Sequence, residues 1–177
     1  MPSALFSPVT LRGLTLANRV VVSPMCQYNS ENGSANDWHL MHLGQFSLGA
    51  GALVMTEATN VNMVGRISLK CATMCSDENE AAMKRVIEFC RKYGIAKHGL
   101  QLGHAGRKGS THPPAAGGKP LKPEEGAWET VAPSAIPYAP DWHTPRALTK
   151  PEIAAIQSDF VAAVKRAERN GYDLVEM

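Results

Sequence analysis

The chain has 177 residues, of which 44% are hydrophobic and 19% charged, a composition typical of one globular domain. Its formal net charge is +2 and its Lys and Arg residues are scattered, so the basic patch of a nucleic-acid-binding protein is missing. No apolar run reaches the roughly 18 residues that a membrane-spanning helix needs, and the N-terminus does not resemble a signal peptide. We therefore expect a cytoplasmic protein with no nucleic-acid or membrane partner.

The cysteines are few and irregularly spaced, which argues against a disulfide framework or paired zinc ligands. They are Cys26, Cys71, Cys75 and Cys90. No pair of histidines lies near Cys71 and Cys75, so packing in the core is favoured over metal binding for both. Cys90 falls on the apolar face of a predicted helix and is interpreted in the same way. We predict reduced thiols and no metal site.

Apolar runs and helical periodicities alternate through the first half of the chain. The β-branched run at residues 18–25 predicts a first strand, residues 37–50 predict a helix, and the apolar run at residues 52–61 predicts a second strand. Asp77 followed by Glu80 resembles a capping box and predicts the start of a second helix, which ends at a glycine.

The second half continues this alternation. Residues 95–106 predict a third strand, Thr149 and Glu152 predict a capping box at the start of a third helix, and YDLVEM begins a fourth strand. Short apolar strands separated by helices of about 15 residues are typical of parallel βαβ units, so the predicted class is α/β. Residues 106–148 interrupt the pattern with a Pro-rich loop, and loops of this length usually serve as lids or binding loops.

Polar and small residues follow each predicted strand, at the place where ligands bind in parallel α/β folds. They are Ser23, Pro24, Met25, Cys26 and Tyr28 after the first strand, Thr56, Glu57, Ala58 and Thr59 after the second, Gln101, His104, Arg107 and Lys108 after the third, and Glu176 in the fourth. This set contains no nucleophile elbow, no phosphate-binding glycine loop and no metal cluster. A carboxamide, a thiol, small residues and cations suit a planar, anionic cofactor with polar edges.

Several stretches together resemble the Old Yellow Enzyme family of FMN-dependent ene reductases. They are LFSPVTLRGLTLANRVVVSPMCQY, DWHLMHLGQFSLGAGALVMTEATNV, QLGHAGRKGS with WETVAPSAIPY, and LTKPEIAAIQSDFVAAVKRAERNGYDLVEM. The pair Cys26 and Tyr28 is similar to the thermophilic-like bacterial subgroup. The resemblance covers essentially the whole chain. It implies that residues 1–177 form the N-terminal half of a (β/α)8 TIM barrel, with residues 106–148 as a lid-like insertion after the third strand.

The resemblance also implies that FMN binds at the carboxyl end of the strands and passes hydride from NADH or NADPH to the β-carbon of an activated alkene. By this resemblance the cofactor-binding residues are Ser23, Pro24, Met25, Cys26, Ala58 and Gln101, the substrate-side residues are Tyr28 and Lys108, and the catalytic candidates are Cys26 and Tyr28. Cys26 would tune the flavin potential. Gln101 would hydrogen-bond the pyrimidine part of the ring.

Four other polar residues are interpreted without a catalytic role. For His104 an orientation away from the cofactor, and for Arg107 a pair with Glu57 or the lid, are each expected at least as readily as a contact with a ligand. His39 and His42 share one helical face, where helix packing is favoured over metal binding.

The family's carbonyl-binding pair, His with His or His with Asn, its Tyr proton donor and its flavin phosphate contacts would lie beyond Met177. The resemblance therefore implies a complementary C-terminal half-barrel, from the same gene product or from a second chain. We expect this chain to be inactive alone and to associate through its open sheet edge. Two other functions stay open: a non-catalytic half-barrel assembly module, and another flavin-dependent barrel reductase such as a dienoyl-CoA reductase.

Overall fold

The computed structural model describes residues 3–49 and 51–177, in which strands and helices alternate. In chain order the elements are β1 (Val9–Leu11), β2 (Leu14–Leu16), β3 (Val21–Val22), α1 (Asp37–Ser47), β4 (Leu53–Asn60), α2 (Asp77–Tyr93), β5 (Lys97–Gly103), β6 (Val131–Ala132), β7 (Arg146–Ala147), α3 (Lys150–Arg169) and β8 (Leu174–Glu176). None of the helices in these two ranges is long and apolar enough to cross a membrane.

A four-stranded parallel sheet in the order β3-β4-β5-β8 forms the centre of the fold. Val21 lies opposite Leu53 in the first strand pair, and Gly99 lies opposite Leu174 in the last. One long helix lies in the chain between each pair of neighbouring strands, so the sheet consists of three successive βαβ units. This confirms the α/β prediction.

Both faces of the sheet are buried, which explains why its strands are continuous apolar runs. Val54 and Leu100 belong to the core that includes residues of all three helices. Leu53 and Met55 belong to a second core, to which Leu16 contributes from β2. Because alternate residues of a strand point to opposite faces, β4 contributes to both cores.

Helices α2 and α3 begin where the sequence predicts, except that the N-cap of α2 lies one residue earlier than expected. At α3, the Thr149 side chain accepts the Glu152 N–H, and the Glu152 carboxylate accepts the Thr149 N–H at 2.8 Å, which confirms the predicted capping box. At α2 the cap is Ser76, whose hydroxyl accepts the Asn79 N–H at 3.2 Å. The prediction of Asp77 as the cap was wrong by one residue, because Ser76 is the last residue with extended backbone and Asp77 is already helical.

Two features of the N-terminal region differ from the prediction. The first strand of the sheet is limited to Val21–Val22, because the chain leaves the sheet at Ser23. An antiparallel hairpin of β1 and β2 precedes it and was not predicted. Helix α1 ends at Ser47, and the predicted helix end at Ala50 lies outside the described residues.

The long loop between β5 and α3 is ordered by contacts of its own. It contains short 3-10 turns and the paired strands β6 and β7. Leu121 and Val131 are buried, and the Trp128 indole N–H donates to the Val64 carbonyl at 3.0 Å. The segment is therefore a packed part of the domain, and its function as a lid stays a prediction.

The structure confirms the predicted burial of Cys71 and Cys90, whereas Cys75, for which core packing was also predicted, is only half-buried. Cys71 and Cys90 are buried among core residues, and Cys26, Cys71, Cys75 and Cys90 are all free thiols. Within the two described ranges, no group of three or more His, Cys, Asp and Glu side chains is placed to hold a metal ion.

Candidate functional site

A bulge in β4 brings two of the predicted site strands together. Residues 53–56 of β4 pair one to one with residues 97–100 of β5, but Thr59 then pairs with Leu102. Glu57 and Ala58 therefore lie opposite the single residue Gln101. Bulges of this kind re-aim side chains near active sites, and this one sets Ala58 and Gln101 side by side at the carboxyl end of the sheet.

Gln101 occupies the middle of this edge. It is half-buried between the fully buried Leu100 and Leu102, and on its other side it pairs with Glu176 of β8. Because neighbouring residues of a strand point to opposite faces, Gln101 projects away from the core that holds Leu100 and Leu102. Its carboxamide therefore offers a donor and an acceptor at the strand ends.

The segment after β3 is fixed against the bulge. The Gln27 N–H donates to Glu57 Oε2 at 2.9 Å, and the Gln27 side chain donates to the Met25 carbonyl at 2.8 Å. Tyr28 has a φ of 52°, a left-handed conformation that is costly for a residue with a side chain. The Gln27 hydrogen bonds fix this segment, on which Cys26 is half-buried with Glu57, Ala58 and Tyr28 among its neighbours.

The thiol and the phenol of this segment are both neutral at physiological pH. Burial raises the pKa of Cys26 to about 11, and the nearby Glu57 and Cys71 act in the same direction. Burial raises the pKa of Tyr28 to about 12, with Cys26 as the next cause. A protonated thiol is a weak hydrogen-bond donor rather than a nucleophile, so the chemistry available to Cys26 is donation to a neighbouring acceptor.

The remaining predicted site residues differ in exposure. Ser23 and Met25 are exposed and Pro24 is half-buried, so the start of the segment presents an open surface with the apolar Met25 side chain on it. Lys108 lies farther along the chain, in a 3-10 turn that follows β5. Its ammonium group is 5.9 Å from the centre of the Tyr138 ring, which belongs to the long loop.

The sequence placed Glu57 at a strand end and gave it no role of its own. The structure buries its carboxylate, with 3% of the residue exposed, and pairs it with His39 Nε2 of α1 at 3.1 Å. Arg107, which the sequence offered as a partner for either Glu57 or the lid, donates to the Ile136 carbonyl of the loop at 3.5 Å. For His39, helical spacing predicted only a packing role, whereas the structure also gives it a hydrogen bond to the buried Glu57 carboxylate.

The parallel βαβ units bring a thiol, a phenol and a carboxamide to the carboxyl end of the sheet, which is where α/β folds of this class bind their ligands. The chain belongs to the NADH:flavin oxidoreductase / NADH oxidase family, which it matches over residues 4–177.

Individual relatives agree with this membership. The chain is 40% identical to an NADH:flavin oxidoreductase of Gibberella zeae, over 97% of this chain and 42% of that protein. It is also 40% identical to an NADPH dehydrogenase of Listeria monocytogenes, over 99% of this chain and 48% of that protein. A structure of morphinone reductase in complex with tetrahydroNAD matches with a TM-score of 0.82 and 28% identity, over 98% of this chain and 48% of that one.

These relatives confirm three predictions from the sequence. They support the resemblance to the Old Yellow Enzyme family, the N-terminal half of a TIM barrel, and FMN with NADH or NADPH as the hydride donor. The chain spans about half the length of the curated relatives it matches.

Proposed function

We propose that this chain supplies the N-terminal half of an FMN-dependent ene reductase, which reduces the activated C=C bond of an enone or a similar small alkene with NADH or NADPH. The observation that carries the proposal is the β4 bulge. It sets Ala58 opposite the Gln101 carboxamide at the carboxyl end of adjacent parallel strands, and Glu57 of the same bulge accepts a hydrogen bond from the segment that carries Cys26.

The residues at the bulge fit FMN by the chemistry of their donors. Gln101 offers a donor and an acceptor for the polar edge of the ring, and the small side chain of Ala58 leaves room for a flat ligand. Met25 and Pro24 offer apolar surface, and Ser23 precedes them. Bound FMN would accept hydride from the nicotinamide and release it to the alkene.

Cys26 and Tyr28 are the proposed catalytic residues of this chain. Because its pKa is about 11, Cys26 would donate a hydrogen bond to the cofactor as a thiol, and such a contact changes the relative stability of oxidised and reduced flavin. Tyr28 would face the substrate as a neutral phenol, beside Cys26. Lys108, set against Tyr138, would form the outer wall of the substrate side.

The parts of the enzyme that this chain does not carry are proposed to come from a complementary C-terminal half-barrel, either of the same gene product or of a second chain. Among the described residues, β3 pairs only with β4, and β8 pairs only with β5. Each therefore offers an unpaired strand edge to further strands. Without them, the chain alone should reduce no alkene. The cytoplasmic location and an oligomeric state stay predictions from the sequence.

The test is Gln101→Leu in the protein assembled from this chain and its complementary half. Removing the carboxamide should weaken FMN binding by about tenfold, since a lost hydrogen bond at a shielded site costs on the order of 1 to 2 kcal/mol. Quenching of flavin fluorescence during a titration measures this. Gln157→Leu, at an exposed position of α3, is the matched control and should leave binding unchanged.

Activity is read as nicotinamide-dependent reduction of a cyclic enone, with and without the complementary half. Equal activity of the chain alone and of the assembled protein would contradict the need for a second half. An assembled protein that binds no FMN would contradict the proposed function and favour the assembly module.

A further inference from the structure

The buried carboxylate of Glu57 is hydrogen-bonded to two other parts of the chain. Its Oε2 accepts the Gln27 N–H at 2.9 Å, which ties β4 to the segment that follows β3. Its Oε1 lies 3.1 Å from Nε2 of His39, which ties β4 to α1. A buried carboxylate with both oxygens hydrogen-bonded is fixed in position.

His39 is itself oriented by its surroundings. Its Nδ1 accepts the Asn36 N–H at 3.1 Å and also lies 3.1 Å from the Asn36 side-chain oxygen, so the start of α1 fixes the ring, and its Nε2 donates to the Glu57 carboxylate. The Ser30 hydroxyl lies 3.3 Å from the same nitrogen. The imidazole thus presents a donor to Glu57, and the carboxylate is held from one side by a side chain and from the other by the backbone.

We propose that Glu57 is a positioning residue for Cys26: its carboxylate, itself held by His39, fixes the segment from Met25 to Tyr28 through the Gln27 N–H and sets a negative charge beside that segment. This inference rests on the proposed function in one respect, namely that the thiol is presented to FMN as a hydrogen-bond donor. The hold on the segment and the effect on the thiol are properties of the chain itself.

The groups that face the Cys26 sulfur come from three parts of the chain. Burial is the first cause of its raised pKa, followed by Glu57 from β4 and by Cys71 from the loop after β4. The Ala58 backbone and the Tyr28 side chain act in the opposite direction. Removing the charge of Glu57 therefore shifts the pKa of the thiol down, while burial keeps it above that of a free cysteine.

The experiment compares Glu57→Gln with Glu88→Gln, which removes the same charge from an exposed position of α2. Alkylation of Cys26 by iodoacetamide is followed by peptide mass analysis from about pH 7 to pH 9, in the assembled protein with and without FMN. Since the thiolate is the reacting form and removal of the Glu57 charge lowers the pKa of the thiol, Glu57→Gln should speed alkylation about threefold or more. Glu88→Gln should match the wild type.

A second variant separates the charge of Glu57 from its hydrogen bond. Gln at position 57 keeps an acceptor for the Gln27 N–H, whereas Glu57→Ala removes it. Hydrogen exchange of the Gln27 amide should quicken about tenfold or more in Glu57→Ala and stay near the wild-type rate in Glu57→Gln. If Glu57→Ala does not fold, the alkylation profile of Glu57→Gln decides alone.

Equal alkylation profiles for Glu57→Gln and Glu88→Gln would overturn the inference. Its failure can be distinguished from that of the proposed function, because alkylation and amide exchange are measured before FMN is added. A protein that binds no FMN but shows faster alkylation in Glu57→Gln would reject the function and keep the effect of Glu57 on the thiol.

Discussion

His98 in β5 is a buried imidazole whose hydrogen bonds define its tautomer. The Ser47 hydroxyl donates to the Leu43 carbonyl at 2.7 Å, so its oxygen accepts from His98 Nε2 at 2.9 Å. Nδ1 of the same ring is buried and has no partner within the described residues. Burial lowers the pKa of His98 to about 4, because a proton on Nδ1 would add an unpaired charge to the interior.

We expect the free energy of unfolding to fall as the pH falls from about 6.5 towards 4. In that range the unfolded imidazole takes up a proton that the folded one does not, so acid favours the unfolded chain. The full effect of a pKa near 4 is about 3 kcal/mol. Urea unfolding of the wild type and of His98→Gln, compared at several pH values, measures it. The prediction fails if the difference between the two proteins does not change with pH.

Gly94, between α2 and β5, is needed for a close approach of backbones. A Cβ at this position would lie 2.5 Å from the Ser47 carbonyl oxygen and 2.7 Å from the Cys90 carbonyl oxygen. Gly94→Ala should therefore lower the free energy of unfolding by roughly 1 to 3 kcal/mol, the usual cost of overpacking. Gly13→Ala is the control, since a Cβ there would meet nothing within 4 Å. Equal melting temperatures for the two variants would contradict this.

At the scale of the elements, the start of α3 depends on its capping box. Thr149 and Glu152 exchange hydrogen bonds in both directions, and Arg146 adds an ion pair to Glu152. We expect Thr149→Ala to cost about 1 kcal/mol of the free energy of unfolding, because it leaves an N–H of the first turn without its acceptor. Ser158→Ala, at an exposed position in the middle of the same helix, should change it by less than about 0.5 kcal/mol.

The sequence predicted those elements whose signals are local. The capping box at Thr149 and the apolar periodicity of α2 depend on residues within a few positions of one another, and both are confirmed. The β4 bulge could not be predicted, because it is a mismatch of register between two strands that are more than 30 residues apart. Nor could the pair of Glu57 with His39, since it depends on how α1 packs against the sheet.

For the site residues too, the sequence predicted some properties and could not predict others. Cys26, Ala58 and Gln101 were named because motifs of a family matched them. The structure places Ala58 in the bulge with Gln101 opposite it, and Cys26 on the segment that is hydrogen-bonded to the bulge through Gln27. The motifs could not show that the pKa of the Cys26 thiol is raised. That property results from burial and from Glu57, which the sequence places 31 positions away along the chain.

At the scale of the molecule, the two edge strands of the central sheet, β3 and β8, determine how the chain is expected to associate in solution. Val21 of β3 and Met177, next to β8, are both exposed, and each edge strand offers unpaired backbone groups. We expect residues 1–177, expressed alone, to associate in a concentration-dependent way. Light scattering coupled to size-exclusion chromatography measures this.

Addition of the complementary half should shift the material to a single species of defined mass. A stable monomer of the chain alone, with no change on addition of that half, would contradict the prediction.

The bulge also separates what the main chain supplies to this end of the sheet from what side chains supply. Ala58 acts on the surroundings of Cys26 through its backbone, a group that every residue type carries, so exchange of its side chain leaves that group in place. At positions 26 and 28 the side chain is itself the functional group. An exchange there would therefore change the chemistry of the site while the paired backbone of β4 and β5 stays as it is.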